Sequence, residues 1–212
     1  MKHRYKRRIN TVKNLLVAFC GLDGSGKTTQ LNLLADWLES NHEHIFKTRQ
    51  PCDFYRQNDK VRAYLDDGIV TNMHGIALLA AADRQFHVSE VIEPNLQHGH
   101  VLCDRYLYSS IAFFKARGES VDYIKAINKD VPEPDLTVFI DISPEEALRR
   151  IALRDAGQKT LFEEQDTSVF VKVRDAFLEN IPSSALIIDG TQSKTAIHNE
   201  ITSEFEKRRS FV

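Results

Sequence analysis

The chain contains the stretch Gly21-Leu22-Asp23-Gly24-Ser25-Gly26-Lys27-Thr28, which has the form G-x-x-x-x-G-K-T. This pattern is the phosphate-binding P-loop, in which glycines let backbone N–H groups turn inward around phosphate oxygens. Lys27 adds a positive charge for the β and γ phosphates, and the Thr28 hydroxyl is an oxygen ligand suited to Mg²⁺. A helix that begins near Gly26 would point its N-terminus at the same phosphates. The motif therefore predicts a site for a nucleoside triphosphate.

The residues on both sides of this motif match the context that a P-loop requires. Before it, residues 15–20 form a short apolar run that is typical of a buried strand. After it, Leu31, Leu34, Ala35 and Leu38 recur at helical spacing. A strand, a glycine-rich loop and a helix in this order favour a functional P-loop over an ordinary glycine turn.

The composition favours one globular domain that binds neither nucleic acid nor membrane. The 212 residues carry 28 Lys and Arg against 30 Asp and Glu, so no strong positive field would attract a polyanion. Residues 1–13 are the exception, and we expect them to form a basic N-terminal extension that is disordered or that contacts an anionic partner or another subunit. The domain then covers 14–212.

Membrane and disulfide signals are both weak in this sequence. No run approaches 18 apolar residues, and residues 15–20 are too short for the core of a signal peptide. The three cysteines are widely spaced, which favours reduced thiols over a disulfide framework. These features predict a cytoplasmic protein.

Short apolar strands alternate with longer helical patterns along the chain. This alternation predicts an α/β fold with a mainly parallel sheet. The fold class that we expect is a three-layer P-loop NTPase fold, in which helices flank a five-stranded parallel sheet and a short basic lid covers the site. A long helix is predicted over residues 73–96, with Pro94 ending or kinking it. The predicted strands cover residues 15–20, 45–48, 101–103, 136–142 and 185–188.

Polar residues follow several of these strands directly. Arg49 follows the second strand, and Asp104 and Arg105 follow the third. Ligands of open parallel sheets lie at the carboxyl ends of strands, so these residues and the P-loop should converge on one site. Guanidinium groups grip phosphate oxygens in bidentate fashion, and a carboxylate such as Asp104 suits Mg²⁺. The pattern therefore predicts phosphoryl transfer onto an acceptor that carries its own phosphate.

The predicted lid lies at about residues 149–163 and is rich in basic residues. Arg150 and Arg154 are four positions apart, so they share one face of a predicted helix. A lid of this kind would close arginines over the transferring phosphate and exclude water. The alternative is a solvated helix end.

The sequence resembles the thymidylate kinases, which are P-loop nucleoside monophosphate kinases. The resemblance runs from about Leu15 to the last predicted helix. It implies ATP as phosphoryl donor, Mg²⁺ as cofactor, small-molecule nucleotides as ligands and a homodimer. The sequences that carry it are Gly21 to Gln30, Thr48-Arg49-Gln50-Pro51, Ala82-Asp83-Arg84, Asp104-Arg105-Tyr106 with Ser109, and Pro134-Asp135-Leu136.

The motif and the resemblance together give three sets of candidate site residues. The ATP-binding set is Gly21, Asp23, Gly24, Ser25, Gly26, Lys27, Thr28 and Thr29, with Thr28 and Asp104 as metal ligands. The catalytic set is Lys27, Arg105, Arg150 and Arg154. The acceptor-binding set is Asp23, Arg49, Phe54, Ala80, Arg84, Arg105, Ser109, Ser110, Phe113 and Phe114.

Within the acceptor set, the resemblance implies a role for each matching position. Asp23 would contact the sugar 3′-hydroxyl, and Phe113 would lie under the sugar and disfavour a 2′-hydroxyl. Arg49 and Arg105 would hold the 5′-phosphate. The base would meet Arg84 and Ser110.

The base pocket departs from the family pattern. Glutamate is usual where this chain has Cys20 and Gln50, and glutamine or threonine is common where Phe114 stands. Ala80 replaces a phenylalanine that stacks on thymine, an interaction worth about 1–3 kcal/mol. One explanation is that Phe114 or Phe54 refills the stacking position. The other is that the acceptor is a different or modified pyrimidine, or a larger base.

The function that we predict is ATP-dependent phosphorylation of a nucleoside 5′-monophosphate, with dTMP converted to dTDP. The first alternative is a kinase for a different or modified nucleoside or deoxynucleoside monophosphate. The second is a nucleotide-binding protein without kinase activity, although such a protein would not need the acceptor-phosphate arginines Arg49 and Arg105.

Overall fold

The computed structural model describes residues 13–69, 72–154 and 167–210, and its centre is a five-stranded sheet. The strand order is β2-β3-β1-β4-β5, and every neighbouring pair is parallel. This topology confirms the predicted α/β class, and each strand lies within two residues of its predicted bounds. The strands are β1 (Leu16–Cys20), β2 (Ile45–Arg49), β3 (His100–Asp104), β4 (Leu136–Asp141) and β5 (Leu186–Asp189).

Helices connect these strands. Two short helices, α2 and α3, fill the segment after β2. The helices are α1 (Lys27–Ser40), α2 (Asp53–Arg56), α3 (Asp59–Asp67), α4 (Met73–His87), α5 (Glu93–Leu96), α6 (Leu107–Ala116), α7 (Val121–Ile127), α8 (Pro144–Arg154), α9 (Thr167–Asn180) and α10 (Lys194–Ser210).

The core lies on both faces of the sheet because successive strand residues point to opposite sides. Leu16 and Ala18 of β1 pack on the face that α4, α6 and α7 cover. Val17 and Phe19, the residues between and after them, pack on the face that α1 and α10 cover. A third cluster, between β4, α8 and α9, extends the core beside the P-loop. All five β1 side chains are buried, so the P-loop begins from a strand at the centre of the sheet that is anchored in the core.

The long helix predicted over residues 73–96 is interrupted by a π-helical turn at Val88–Ile92. Pro94 lies in the first turn of α5, just after this π-helical turn. A proline has no backbone N–H and its ring clashes with the carbonyl four residues before it, so a regular α-helical hydrogen bond cannot form there. The wider π-helical turn accommodates the proline. The sequence predicts that Pro94 ends or kinks this helix, and the π-helical turn is the interruption that the structure shows.

Two predicted segments lie wholly or partly outside the described residues. The basic extension at 1–13 is described only at Lys13, whose ammonium group lies 2.5 Å from the Asp135 carboxylate. The lid predicted at about 149–163 is described only as far as Arg154, the last residue of α8. Across the described ranges, none of the helices is long and apolar enough to cross a membrane.

Candidate active site

The carboxyl ends of three neighbouring strands bring the predicted site residues together. In the β1–β3 pair, Phe19 lies opposite Asp104, and in the β2–β3 pair Arg49 lies opposite the same residue. The P-loop leaves the end of β1, and Arg105 follows the end of β3. Segments that are about 80 residues apart in sequence therefore meet at one edge of the sheet, as expected for a ligand site of a parallel sheet.

The P-loop has the backbone geometry that its glycines allow. Gly24 has a φ of 80°, and a Cβ placed there would lie 2.6 Å from the carbonyl oxygen of Ala147. Gly26 also has a left-handed conformation and directly precedes the first residue of α1. Side-chain-bearing residues rarely adopt this conformation, so glycine permits both the tight loop and the close approach of α8. The N-terminus of α1 then faces the loop interior.

Lys27 lies buried at the start of α1. Its ammonium group donates a hydrogen bond to the Leu22 carbonyl at 2.7 Å and lies 3.7 Å from the Asp23 carboxylate. Burial, together with the nearby positive charge of Arg105, lowers the pKa of Lys27 to about 8. A phosphate placed against this group would add further negative charge and raise the pKa of Lys27.

Arg105 joins the P-loop to the third strand. Its guanidinium donates to the Asp23 carboxylate at 2.5 Å and lies over the Phe113 ring, with 4.7 Å between the guanidinium carbon and the ring centroid. Burial alone would raise the pKa of Asp23, but the positive charges of Arg105 and Lys27 outweigh burial and lower this pKa overall. The backbone φ of Arg105 is 67°, a left-handed conformation that is uncommon for residues other than glycine.

Thr28 and Asp104 supply two adjacent oxygen groups. The Thr28 hydroxyl donates a hydrogen bond to the Asp104 carboxylate at 2.6 Å. No group of three or more His, Cys, Asp or Glu side chains with metal-binding geometry occurs among the described residues. Mg²⁺ at phosphate sites uses one or two protein oxygens and completes its shell with phosphate and water, so this pair fits such an ion.

A cleft of about 370 Å³ runs over the P-loop, and we call it the P-loop cleft. Six basic side chains and two carboxylates line it, so its net charge is strongly positive. Such a cleft attracts polyanions such as a triphosphate. Gly21 and Ser25 of the predicted ATP set do not line it and lie buried. Its lining residues are Asp23, Gly24, Gly26, Lys27, Thr28, Thr29, Arg49, Arg56, Asp104, Arg105, Arg150 and Arg154.

Arg56 was missed by sequence reasoning, although it lines this cleft. Its Nε donates to the Pro51 carbonyl at 2.8 Å. Burial and the charges of Arg105 and Arg49 lower its pKa. Its position a few residues after Thr48-Arg49-Gln50-Pro51 is only a weak sign that it belongs to the site. The side chain points into the cleft because of the way the short helix α2 is oriented, and the sequence does not show that orientation.

A second, smaller cavity of about 120 Å³ adjoins the P-loop cleft, and we call it the inner cavity. It shares Asp23, Arg56 and Arg105 with the cleft. Most of the predicted acceptor residues line it. The lining residues are Asp23, Gln50, Pro51, Tyr55, Arg56, Leu65, Ala80, Arg84, Arg105, Tyr106, Ser109, Ser110, Phe113, Phe114 and Arg117.

Two of the predicted acceptor residues do not line the inner cavity. Arg49 lines the P-loop cleft instead, where it pairs with Asp53 at 2.6 Å. Phe54 lines neither cavity and is 63% exposed, because α2 begins at Asp53 and turns this ring to the surface. Phe114 is buried with Ala80 in one hydrophobic cluster, so it is the phenylalanine of the two that lies in the inner cavity with Ala80.

Arg84 is 1% exposed and belongs to a network of neutral partners. Its three nitrogen groups donate to the Gln50 amide oxygen at 2.8 Å, to Asn128 at 2.5 Å and to the Ser110 hydroxyl at 2.5 Å. Burial lowers the pKa of Arg84. These three acceptors therefore fix the plane of the guanidinium. Because they are uncharged, they do not neutralise its positive charge, which remains available to a ligand. Asn128 was not predicted as a site residue, and Gln50 was noted only as a departure from the family's glutamate; they lie 44 and 34 positions from Arg84.

Comparison with known proteins gives the family of this chain. The sequence model of the family described as thymidylate kinase matches residues 19–201. The chain belongs to the thymidylate kinase family. It is 36% identical over 198 residues to a probable thymidylate kinase of Pyrococcus horikoshii, which covers 90% of this chain and 95% of that protein.

Two further members of the thymidylate kinase family agree with this assignment. A thymidylate kinase of Sulfurihydrogenibium sp. is 35% identical over 202 residues, covering 91% of this chain and 97% of that protein. A probable thymidylate kinase of Pyrococcus abyssi is 41% identical over 148 residues, covering 68% of this chain and 72% of that protein. The family model, which matches residues 19–201, spans the P-loop and the residues that line both cavities.

In this thymidylate kinase family member, a neutral thiol stands at position 20, where the resemblance led us to expect glutamate. Cys20 is buried at the end of β1, and the Ser109 hydroxyl donates to its sulfur at 3.8 Å. Burial raises the pKa of Cys20 to about 11, so the thiol adds no negative charge beside Lys27 and Arg105 at neutral pH.

Arg117 is a further residue of the inner cavity that the sequence did not indicate. Its guanidinium carbon lies 5.0 Å from the Tyr64 ring centroid, 5.3 Å from that of Phe113 and 5.6 Å from that of Phe114. Its Nε donates to the Tyr64 hydroxyl. Burial lowers the pKa of Arg117 to about 10, so the group remains charged at neutral pH and makes cation–π contacts with the aromatic wall of the cavity.

Proposed function

We propose that this chain transfers the γ-phosphoryl group of ATP to the 5′-phosphate of a nucleoside monophosphate, and that dTMP is the acceptor. The observation that carries the proposal is the contact between Asp23 of the P-loop and Arg105, at 2.5 Å, where the two cavities meet. One cavity suits a triphosphate and the other suits a nucleoside, and an arginine lies at the junction. The names of the relatives support dTMP as the acceptor.

The donor would bind in the P-loop cleft. Backbone N–H groups of the P-loop and the Lys27 ammonium would hold its β and γ phosphates. Thr28 and Asp104 would hold Mg²⁺, which neutralises phosphate charge when it is bound. Arg150, whose guanidinium also donates to the Gly190 carbonyl at 3.0 Å, and Arg154 would face the transferring group.

The acceptor would enter the inner cavity with its 5′-phosphate toward the P-loop cleft. Arg49 and Arg105 would hold that phosphate, and this keeps the attacking oxygen near the γ phosphate of ATP. Phe113 would lie under the sugar, and Arg84 and Ser110 would meet the polar edge of the base. Phosphoryl transfer needs little covalent help from the protein, so these positioning and charge effects would supply most of the catalysis.

A coupled assay of ADP release tests the proposal. Each common ribo- and deoxynucleoside monophosphate is added with ATP and Mg²⁺, and we expect the highest kcat/KM with dTMP. Turnover with another monophosphate and none with dTMP would mean that the acceptor is misassigned while the kinase reaction stands. ATP binding without turnover of any monophosphate would contradict the kinase assignment.

We also propose that the chain forms a homodimer in the cytoplasm. Leu78, Ala82 and Phe86 lie four positions apart on one exposed face of α4, with Leu78 50% and Phe86 60% exposed. An apolar helix face of this kind suits contact with a second copy. Light scattering after gel filtration should give twice the chain mass, and Phe86→Glu should give a single-chain mass. A single-chain mass for the unaltered protein would reject the dimer.

A further inference from the structure

A line of hydrogen bonds runs behind the inner cavity from β2 to Arg84. His87 is buried near the end of α4, and its Nε2 lies 2.8 Å from the Thr48 hydroxyl. Its Nδ1 lies 3.0 Å from the side-chain nitrogen of Gln50. The oxygen of the same Gln50 amide accepts from Nε of Arg84 at 2.8 Å. His87 does not line either cavity, so it would act on a ligand only through Gln50 and Arg84.

Only one arrangement of protons satisfies this line of contacts. An arginine can only donate, so the oxygen of the Gln50 amide must face Arg84. The amide nitrogen, which can only donate, then faces His87, and Nδ1 of His87 must accept without a proton. A neutral imidazole in this state carries its proton on Nε2 and donates it to the Thr48 hydroxyl. Burial lowers the pKa of His87, which agrees with a neutral ring.

The orientation of Gln50 matters because its two amide ends are chemically different. If the amide rotated by half a turn, its NH₂ group would face the Arg84 guanidinium and leave two donors opposed. The carboxylate of neighbouring Asp83 accepts instead from the backbone N–H groups of Cys52 and Tyr55, at 2.8 and 3.3 Å. A glutamate at position 50 would present an acceptor at either end and would need no orienting partner.

We propose that His87 is a positioning residue for the acceptor base. The neutral, Nε2-protonated ring fixes the amide of Gln50, and the amide fixes the guanidinium plane of Arg84 in the inner cavity. This inference rests on the proposed function, since it assumes that Arg84 faces the base of a nucleoside monophosphate. Sequence spacing gives no hint of it, because Thr48 and Gln50 meet His87 only when the end of β2 lies against the end of α4.

A double-mutant cycle tests the proposal through the acceptor KM. We expect His87→Phe, which keeps a ring but loses the acceptor nitrogen, to raise the KM for dTMP about tenfold. The kcat and the KM for ATP should change less than about threefold, because the P-loop cleft is untouched. His87→Asn, whose amide oxygen can take the place of Nδ1, should stay within about threefold of the unaltered protein.

The second arm of the cycle uses Gln50→Glu. In that background, His87→Phe should raise the acceptor KM less than about threefold, since a carboxylate needs no orientation. His100→Phe is the matched control: His100 is also buried, but its Nδ1 accepts from the Leu15 N–H at the opposite end of the sheet. We expect it to lower the melting temperature without changing the acceptor KM. A full tenfold effect of His87→Phe in the Gln50→Glu background would overturn the proposal, as would equal changes in the KM values for ATP and acceptor.

Nitrogen NMR of the ¹⁵N-labelled protein supplies a readout that does not depend on activity. The His87 signals, assigned by their loss in His87→Asn, should have the shifts of a neutral ring with the proton on Nε2. A proton on Nδ1 or a charged ring at pH 7 would reject the proposal even if dTMP kinase activity is found. Failure of every monophosphate to bind or react would instead reject the proposed function, and the NMR result would still decide the state of His87.

Discussion

The P-loop cleft and the inner cavity share Asp23, Arg56 and Arg105, but their side chains are held in different ways. In the P-loop cleft, backbone shape and net charge dominate: a glycine-rich loop at the end of β1 and six basic side chains. In the inner cavity, buried neutral groups orient one guanidinium, that of Arg84. The cleft is thus suited to any chain of phosphates, whereas the inner cavity is suited to one arrangement of hydrogen-bonding atoms.

This difference separates the expected effects of mutations. A charge removed from the P-loop cleft should lower the rate of phosphoryl transfer, because the charge stabilises the moving group. A change in the inner cavity should alter acceptor affinity and leave ATP affinity unchanged. The four predictions below test that separation, from the largest expected effect to the smallest.

Lys27→Ala should lower kcat at saturating ATP and acceptor by at least about 100-fold, because it removes a buried charge aimed at the phosphates. The measurement is steady-state ADP release. Lys47→Ala is the control, since Lys47 is an exposed lysine of β2 that contacts Asn32. A kcat within tenfold of the unaltered protein would show that the P-loop cleft does not stabilise the transferring group through Lys27.

Arg105→Ala should reduce kcat/KM for the acceptor by about 100-fold, since a charge-assisted hydrogen bond to phosphate is worth about 1.5–3 kcal/mol. The KM for ATP should change much less. Arg149→Ala is the matched control, because the Arg149 guanidinium contacts Glu146 and lines neither cavity. If the KM for ATP rose instead, Arg105 would belong functionally to the P-loop cleft alone.

Ala80→Phe tests what fills the inner cavity. Because Phe114 already packs in the same cluster as Ala80, an added ring should overpack the core and lower the free energy of unfolding by about 1–3 kcal/mol. We expect the acceptor KM to rise several-fold while the KM for ATP stays constant. Thermal melting and steady-state kinetics measure the two effects. A lower acceptor KM would indicate that a base stacks at position 80 and that Phe114 does not fill the stacking position.

Proton uptake on ATP binding gives the smallest signal. The pKa of Lys27 is lowered to about 8 in the ligand-free protein, so part of this group is neutral at pH 8.5. Triphosphate raises that pKa, and binding should therefore take up a fraction of a proton and weaken as pH rises above 8. Calorimetry at pH 8.5 in two buffers with different ionisation enthalpies measures this uptake. Identical enthalpies in both buffers would contradict it, and Lys27→Arg, which stays charged, should show no uptake.

The features that sequence predicted well are those with a local signature. The P-loop, the apolar strands and their alternation with helices each occupy a continuous segment, so spacing and composition suffice to find them. The meeting of Arg49, Asp104 and Arg105 followed from the rule that strand ends converge in a parallel sheet.

The features that sequence could not predict depend on how helices are rotated. Phe54 was placed in the base pocket, but the turn of α2 directs it to the surface and brings Arg56 inward instead. Asn128 and Gln50 meet Arg84 from segments that have no pattern in common with it. The partners of a buried guanidinium are fixed by packing, and no single-sequence pattern reports packing of this kind.

The left-handed backbone of Arg105 places a conformational cost at the residue that joins the two cavities. A residue with a Cβ in this conformation costs about 1–2 kcal/mol relative to glycine, and the side chain there joins the two cavities. Arg105→Gly would relax the backbone, but it would also remove the Asp23 ion pair and the contact with the Phe113 ring, so its two effects on stability oppose each other. Engineering this protein for heat resistance should therefore keep Arg105 despite its uncommon backbone conformation, because glycine there would cost the guanidinium that lines both cavities.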